Sequence, residues 1–386
     1  MIKIALRPNL KYPIFLIIWT FLRKTISILI SKLFSFQGSV IYTFLMFFGE
    51  MTGFILYKYQ INFVENKFTK ARVSKGKLII SKPEMIRPDG LIKVVFLVFM
   101  TAFFDFSEFI LSTYYITKVK NISGTLQIRL GGILIIVSSL LYWYSLKFQV
   151  LRHQKFSLVI LGLGIIILIT TEFFFQKFNI FITTKDLAFA IILSALSHIC
   201  IAFNNTIEKY LIDFDFLNPF LILTFQGIIG FIFTIICSYY ENPIPHLKNV
   251  YNNNSTGMFT LFIFLLLFYT IFGALKNIYR MVTIMLFTPM NKHLADIIIN
   301  PIYIIYSFSI GDDFINDGNP DYFYFFSNII LLIIFDICGL IFNEFLILNC
   351  CSLEYDTYQS IFERASLELN NYSEDDDTNK SNETIN

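Results

Sequence analysis

The chain is 386 residues long, 55% hydrophobic and only 15% charged, with a mean hydropathy of +0.63. A soluble domain carries about 25% charged residues, so an ordinary soluble protein is excluded and an integral membrane protein is indicated. The formal net charge of +2 is too small, and the basic residues too dispersed among loops, for a nucleic-acid partner; five cysteines in no zinc-ligand or disulfide spacing lead to no expectation of a metal or other cofactor.

Apolar runs of spanning length fall at 13–34, 39–58, 91–116, 126–146, 157–176, 186–206, 218–239, 257–277, 283–309 and 323–349. They predict an all-α integral membrane protein of about ten transmembrane helices. The first run follows residues 1–12, is too long for a signal-peptide core and lacks a small-residue cleavage site, so it reads as a retained span. The second carries Glu50 in "FFGEMTG". The loop that follows, 59–90, is basic, with Lys67, Lys70, Arg72, Lys75, Lys77, Lys82 and Arg87 against Glu65, Glu84 and Asp89. By the positive-inside rule it is cytoplasmic, and an even number of spans makes both termini cytoplasmic too.

Further along, the third run, "FFDFSEFILSTYY", puts Asp105, Glu108, Ser112 and Tyr115 on one helical face. The fourth opens with Gln127 and Arg129 in "SGTLQIRLGG", and the sixth, "SALSHICIAFNNTIEK", aligns Ser194, Ser197, His198, Asn205 and Glu208. The seventh holds Gln226 in "FQGIIG". In the ninth, "FTPMNKHLADIIINPIYIIYSF", Lys292, Asp296 and Asn300 recur every fourth residue with Tyr303 close behind, so one face is polar. An ionisable group within a span costs about 2.5–3.5 kcal/mol and usually faces a bundle interior. Together these faces predict one polar cavity for a small-molecule substrate. Plainer roles exist for each: Lys292 and Asp296 as a structural pair, Glu50 as a clamp on a neighbouring helix, His198 as a packing residue, Arg129 and Glu208 as side chains snorkelling from span ends. Gly131-Gly132 and Gly227/Gly230 allow close helix approach. Pro289 and Pro301 bracket the ninth polar face, either as a simple kink or as an interruption that exposes half-helix ends to a substrate.

The acidic "GDDFINDGNPDY" falls on the side opposite the basic loop, as do sequons at Asn121, Asn253 and Asn254. Residues 350–386 are polar and acidic and predict a disordered cytoplasmic tail. At its start Cys350 and Cys351 are palmitoylation candidates or inert thiols, and "YQSI" at Tyr358 has the form of an adaptor-read sorting signal.

Two segments resemble a known family. "IEKYLIDFDFLNPFLILTFQGIIGFIF" (207–233) is similar to the junction of the sixth and seventh spans in the drug/metabolite transporter superfamily, in particular the F-like branch of solute carrier family 35. There an acidic-Lys pair precedes a Pro and a Gly-rich helix. "FLMFFGEMTG" resembles the second span of that branch, with its Gly-Glu pair. Gln226 stands where the branch tends to carry an acid, and the basic loop is longer than in compact members. The resemblance implies a five-plus-five inverted repeat, 13–176 and 177–349, and a nucleotide-sugar cargo. Within the chain the repeat is faint: "FFGEMTG" is echoed by "FQGIIG", and a basic residue opens the fourth and ninth spans, Arg129 and Lys292.

The expected function is secondary transport of a small polar or anionic metabolite across an internal eukaryotic membrane, Golgi, endoplasmic reticulum or endolysosome, by a protein able to form a homodimer. Lys292 and Arg129 would bind negative charge; Glu50, Asp105 and Asp296, with Glu108 on the same face as Asp105, would couple a cation or proton. Asn205, Gln226 and Asn300 would hydrogen-bond the substrate. Two other classes stay open: a polytopic acyl- or glycosyltransferase using His293 as base or Asp312-Asp313 as metal ligands, and a non-transporting scaffold or receptor docking through the basic loop and acidic tail.

Overall fold

A computed structural model describes residues 2–4, 11–34, 36, 39–60, 88–118, 126–146, 149–176, 183–240, 242–309, 315–316, 319–348, 357 and 360–361. Most of the basic loop, Asn121, Asp312-Asp313, Cys350, Cys351, Tyr358 and the acidic tail beyond 361 lie outside these residues, as does the Tyr115 side chain. Among the described residues, eight helices are long and apolar enough to cross a membrane: α1 (Lys11–Phe34), α2 (Val40–Gln60), α3 (Pro88–Lys118), α6 (Arg152–Gln176), α7 (Thr184–Asp213), α8 (Pro219–Tyr240), α10 (Thr256–Leu286) and α13 (Tyr322–Phe342). The chain is therefore a multi-pass membrane protein. Shorter helices lie between them: α4 (Leu126–Arg129), α5 (Gly132–Ser145), α9 (Ile244–Asn253), α11 (Pro289–Ile298) and α12 (Asn300–Ser309). Strand β1 (Ile2–Ile4) pairs antiparallel with β4 (Leu346–Leu348), and a short hairpin joins β2 (Ile315–Asn316) to β3 (Asn319–Pro320).

The helix ends are written in the sequence. Thr183 accepts a hydrogen bond from the Asp186 amide, Ser255 from Met258 and Asp321 from Tyr324, each satisfying an orphan donor of a first turn. Asn218 does the same for Phe220 ahead of α8, with Pro219 at the first helical position. The surface reverses the soluble pattern: Ile92 is 79% and Ile55 68% exposed, while Glu50 and Glu208 are fully buried. Apolar side chains face where lipid lies, and polar ones turn inward.

Two expected spans are discontinuous. The fourth, 126–146, breaks into α4 and α5 at Leu130-Gly131. The ninth does not start at 283: α10 runs on to Leu286, the backbone is extended at Thr288, and α11 and α12 meet at Ile299. Proline explains this, since the residue before it avoids the helical region and its missing N–H cannot bond the preceding turn; Pro289 and Pro301 sit at these two starts.

The helices pack α1 on α10, α3 on α7, α2 on α8 and α6 on α13, with α2 also touching α10, α3 touching α8, α5 touching α7 and α1 touching α11. Glycine sets the closest of these approaches. A Cβ at Gly227 of α8 would lie 2.7 Å from Met51 N and 2.9 Å from Phe47 O, and one at Gly49 of α2 would lie 3.2 Å from Thr270 O of α10. Gly49 and Gly53 form a small-xxx-small pair, so α2 is held tightly between two neighbours with Glu50 turned inward.

Candidate functional site

A cavity of about 310 Å³ opens among α1, α2, α3, α7, α10 and α11. Its wall carries five cations, Arg23, Lys24, Lys276, Arg280 and Lys292, and three carboxylates, Asp105, Glu108 and Asp296. Two cations have a carboxylate partner. Lys292 Nζ lies 2.7 Å from Asp296 Oδ2, one turn along α11, and Arg280 faces the carboxylate group described next. Arg23 instead donates to the Tyr269 hydroxyl at 2.8 Å and lies over that ring, while Lys24 sits over the Tyr303 ring at 4.5 Å. The side chains of Lys276 and Glu108 have no hydrogen bond or ion pair among the described residues.

Behind one wall the guanidinium of Arg280 gathers three helices. Its Nη2 lies 3.2 Å from Glu208 Oε1 and 3.6 Å from Glu50 Oε1, and its Nη1 lies 3.5 Å from Asp105 Oδ1. Amides complete the shell: Asn277 donates to Glu50 Oε1 at 2.7 Å, Gln226 donates to Glu208 Oε1 at 2.8 Å and to Asn204 Oδ1 at 3.1 Å, and Arg280 donates to Gln226 Oε1 at 3.2 Å. Uncompensated ions buried this deeply would cost several kcal/mol each, which is why donors from α10 and α8 converge on carboxylates from α2, α3 and α7.

The structure brings Asp105, Glu108, Lys292 and Asp296 onto the cavity wall. Glu50 and Gln226 stand one layer behind it, gripping Arg280 directly or through Glu208. Asn205 is fully buried off the wall, and its neighbour Asn204 lines the cavity instead; adjacent helical residues point about 100° apart. Asn300 falls beyond the break at Ile299 and donates to the Ile128 carbonyl at 3.1 Å, which also accepts from the Gly131 amide at the break in the fourth span.

Arg129 is held elsewhere. It is 1% exposed and donates to Glu172, the Tyr324 hydroxyl and Asn328, with Tyr324 in turn donating to Glu172, a network joining α4, α6 and α13. Glu172→Gln is therefore expected to lower thermal stability in detergent by about 3–5 kcal/mol and to leave cavity affinity unchanged; a melting curve superposable on wild type would count against this role. His293 is likewise buried, bonded to Ser138 at 2.7 Å.

Sequence reasoning missed Arg23, Lys24, Lys276 and Arg280. The first two were legible, since they sit in the middle of α1 rather than at an end. Lys276 lies at the very end of the eighth run, 257–277, and Arg280 falls in the expected loop just after it. The helix continues to Leu286, and Lys209 Nζ caps it by donating to the Ile284 carbonyl at 3.0 Å. No family model matches the chain, and no curated protein is similar to it.

Proposed function

We propose that this protein is a secondary transporter that moves a compact anionic metabolite across an internal eukaryotic membrane by alternating access. The observation that carries it is the imbalance of uncommitted charge on the cavity wall. Arg23, Lys24 and Lys276 have no carboxylate partner among the described residues, against Glu108 as the unpaired acid. Half-buried cations of this kind inside a membrane bundle favour a carboxylate or phosphate guest. At about 310 Å³ the cavity is at the small end of ligand sites, which run from about 300 to 1,000 Å³. That favours a compact anion over a nucleotide sugar with its two ring systems.

The helix contacts support a five-plus-five inverted repeat. Counting α4–α5 and α11–α12 as one span each, a shift of five spans turns the α1–α10 contact into α7–α3, α2–α10 into α8–α3, α1–α11 into α7–α5 and α5–α6 into α12–α13, all of which occur. The α2–α8 and α6–α13 contacts map onto themselves. The discontinuous fourth and ninth spans are partners under the same shift, as in transporters whose broken helices meet at a central site. The pairing of β1 with β4 supports termini on one side, and the basic loop makes that side cytoplasmic.

Counterflow in proteoliposomes tests the proposal, with citrate, inorganic phosphate, glucose 6-phosphate, nucleotide sugars, amino acids and organic cations as guests. Exchange confined to small anions is expected, falling by about tenfold or more in Lys276→Ala as one charge-assisted contact is lost. Exchange of cations alone, or an undiminished rate in both Lys276→Ala and Lys24→Ala, would remove it.

A further inference from the structure

We propose that Glu50, Asp105 and Glu208 around Arg280 form a proton-binding site, and that a proton held there crosses the membrane together with the anionic substrate. The coupling half of this rests on the transport reading above; the proton site stands on geometry alone. Three carboxylates from α2, α3 and α7 share one guanidinium, all within 3.6 Å. One guanidinium carries a third of the charge needed to neutralise three carboxylates buried this deeply. The second oxygens, Glu50 Oε2, Asp105 Oδ2 and Glu208 Oε2, are buried and have no hydrogen-bond partner among the described residues. An ionised carboxylate with a buried, unpartnered oxygen is a costly arrangement, and a proton on the cluster removes that cost.

The site touches the cavity. Asp105, Asn277 and Arg280 belong both to the cluster and to the cavity wall. The other charged groups facing it are Arg23 and Lys24 from α1, Glu108 from α3, Lys276 from α10 and the Lys292–Asp296 pair from α11. Among the described residues α8 contributes the neutral amide of Gln226, and Lys209 of α7 is turned to the Ile284 carbonyl.

The direction of coupling follows from charge. An anion in the cavity adds negative potential beside the carboxylates and favours their protonation. An anion that draws Arg280 toward itself also takes away the cation that keeps them ionised, with the same sign. Binding free energies are reciprocal, so a protonated cluster binds the anion more tightly. Proton and substrate therefore travel together, as symport, with one proton taken up on one side and released on the other.

Two measurements on the full chain separate the proton site from transport. In the first, infrared spectra of the purified protein in lipid are followed across pH. A titrating C=O band of a buried protonated carboxylic acid is expected, lost in at least one of Glu50→Gln, Asp105→Asn and Glu208→Gln. A band untouched by all three, or no band, overturns the site whether or not the protein transports. In the second, proteoliposomes loaded with a pH-sensitive dye receive citrate, inorganic phosphate or glucose 6-phosphate. Interior acidification with uptake is expected, as is an increase of about tenfold when the outside is acid. The ratio of gradient-driven uptake to counterflow should fall by a similar factor in Glu208→Gln. Uptake without proton movement, or with protons moving the opposite way, overturns the coupling. No exchange of any anion while the infrared band is intact overturns the transport reading and the coupling, and leaves the proton site standing.

Discussion

Arg280→Leu is expected to cost about 3–5 kcal/mol of stability, the loss seen when one partner of a buried ion group is removed, and to abolish anion exchange. Arg280 is the charged link of α10 to α2, α3 and α7 at one depth, through Glu50, Asp105 and Glu208. Without it those carboxylates keep two amide donors, Asn277 and Gln226, and no cation within ion-pair distance among the described residues. Thermal unfolding of detergent-purified protein, followed by size-exclusion chromatography of the soluble fraction, measures the first effect. A second substitution gives the mechanism: Arg280→Leu combined with Glu208→Gln should be more stable than Arg280→Leu alone, because the pair removes a stranded charge that the single variant leaves. An Arg280→Leu protein as stable as wild type would mean that the four-residue cluster contributes no net cohesion.

Gly227→Ala is expected to disrupt the α2–α8 contact at a cost of about 1–3 kcal/mol or more, the range for overpacking a close contact. Its Cβ would stand 2.7 Å from Met51 N, 2.9 Å from Phe47 O and 3.0 Å from the Glu50 carbonyl carbon, all backbone atoms that no side-chain rotation can clear. The helices would have to separate, carrying Glu50 away from Arg280, so exchange should fall along with stability. Gly257→Ala is the control. Nothing lies within 4 Å of a Cβ there, in the first turn of α10, and alanine should be neutral or gain up to about 1 kcal/mol from its better helix propensity. Equal melting behaviour for the two variants would sink the close-packing account.

Membrane character, most of the spans and the need for a polar interior were legible because they follow from one-dimensional properties: run length, alternation of apolar runs with charged loops, and isolated charges where charge is costly. Asp105, Glu108, Lys292 and Asp296 reached the cavity as helical spacing predicts. Spacing failed where the helix did not continue, as at Asn300, whose register with Asp296 is cut by the break at Ile299. It also failed where a helix outlasted its apolar run, as α10 does in carrying Arg280 into the bundle.

The sequence by itself thus determined that the chain is an α-helical membrane protein with charges placed against the hydrophobic gradient. Only the tertiary structure decided which charges meet. Arg129 and Arg280 are both buried arginines on apolar helices, yet Arg129 closes a network with Glu172 and Tyr324 while Arg280 borders the cavity. The difference lies in which helices approach closely enough to present a partner. That is set by glycine contacts and broken backbone scattered along the chain, and no local pattern around either arginine encodes it.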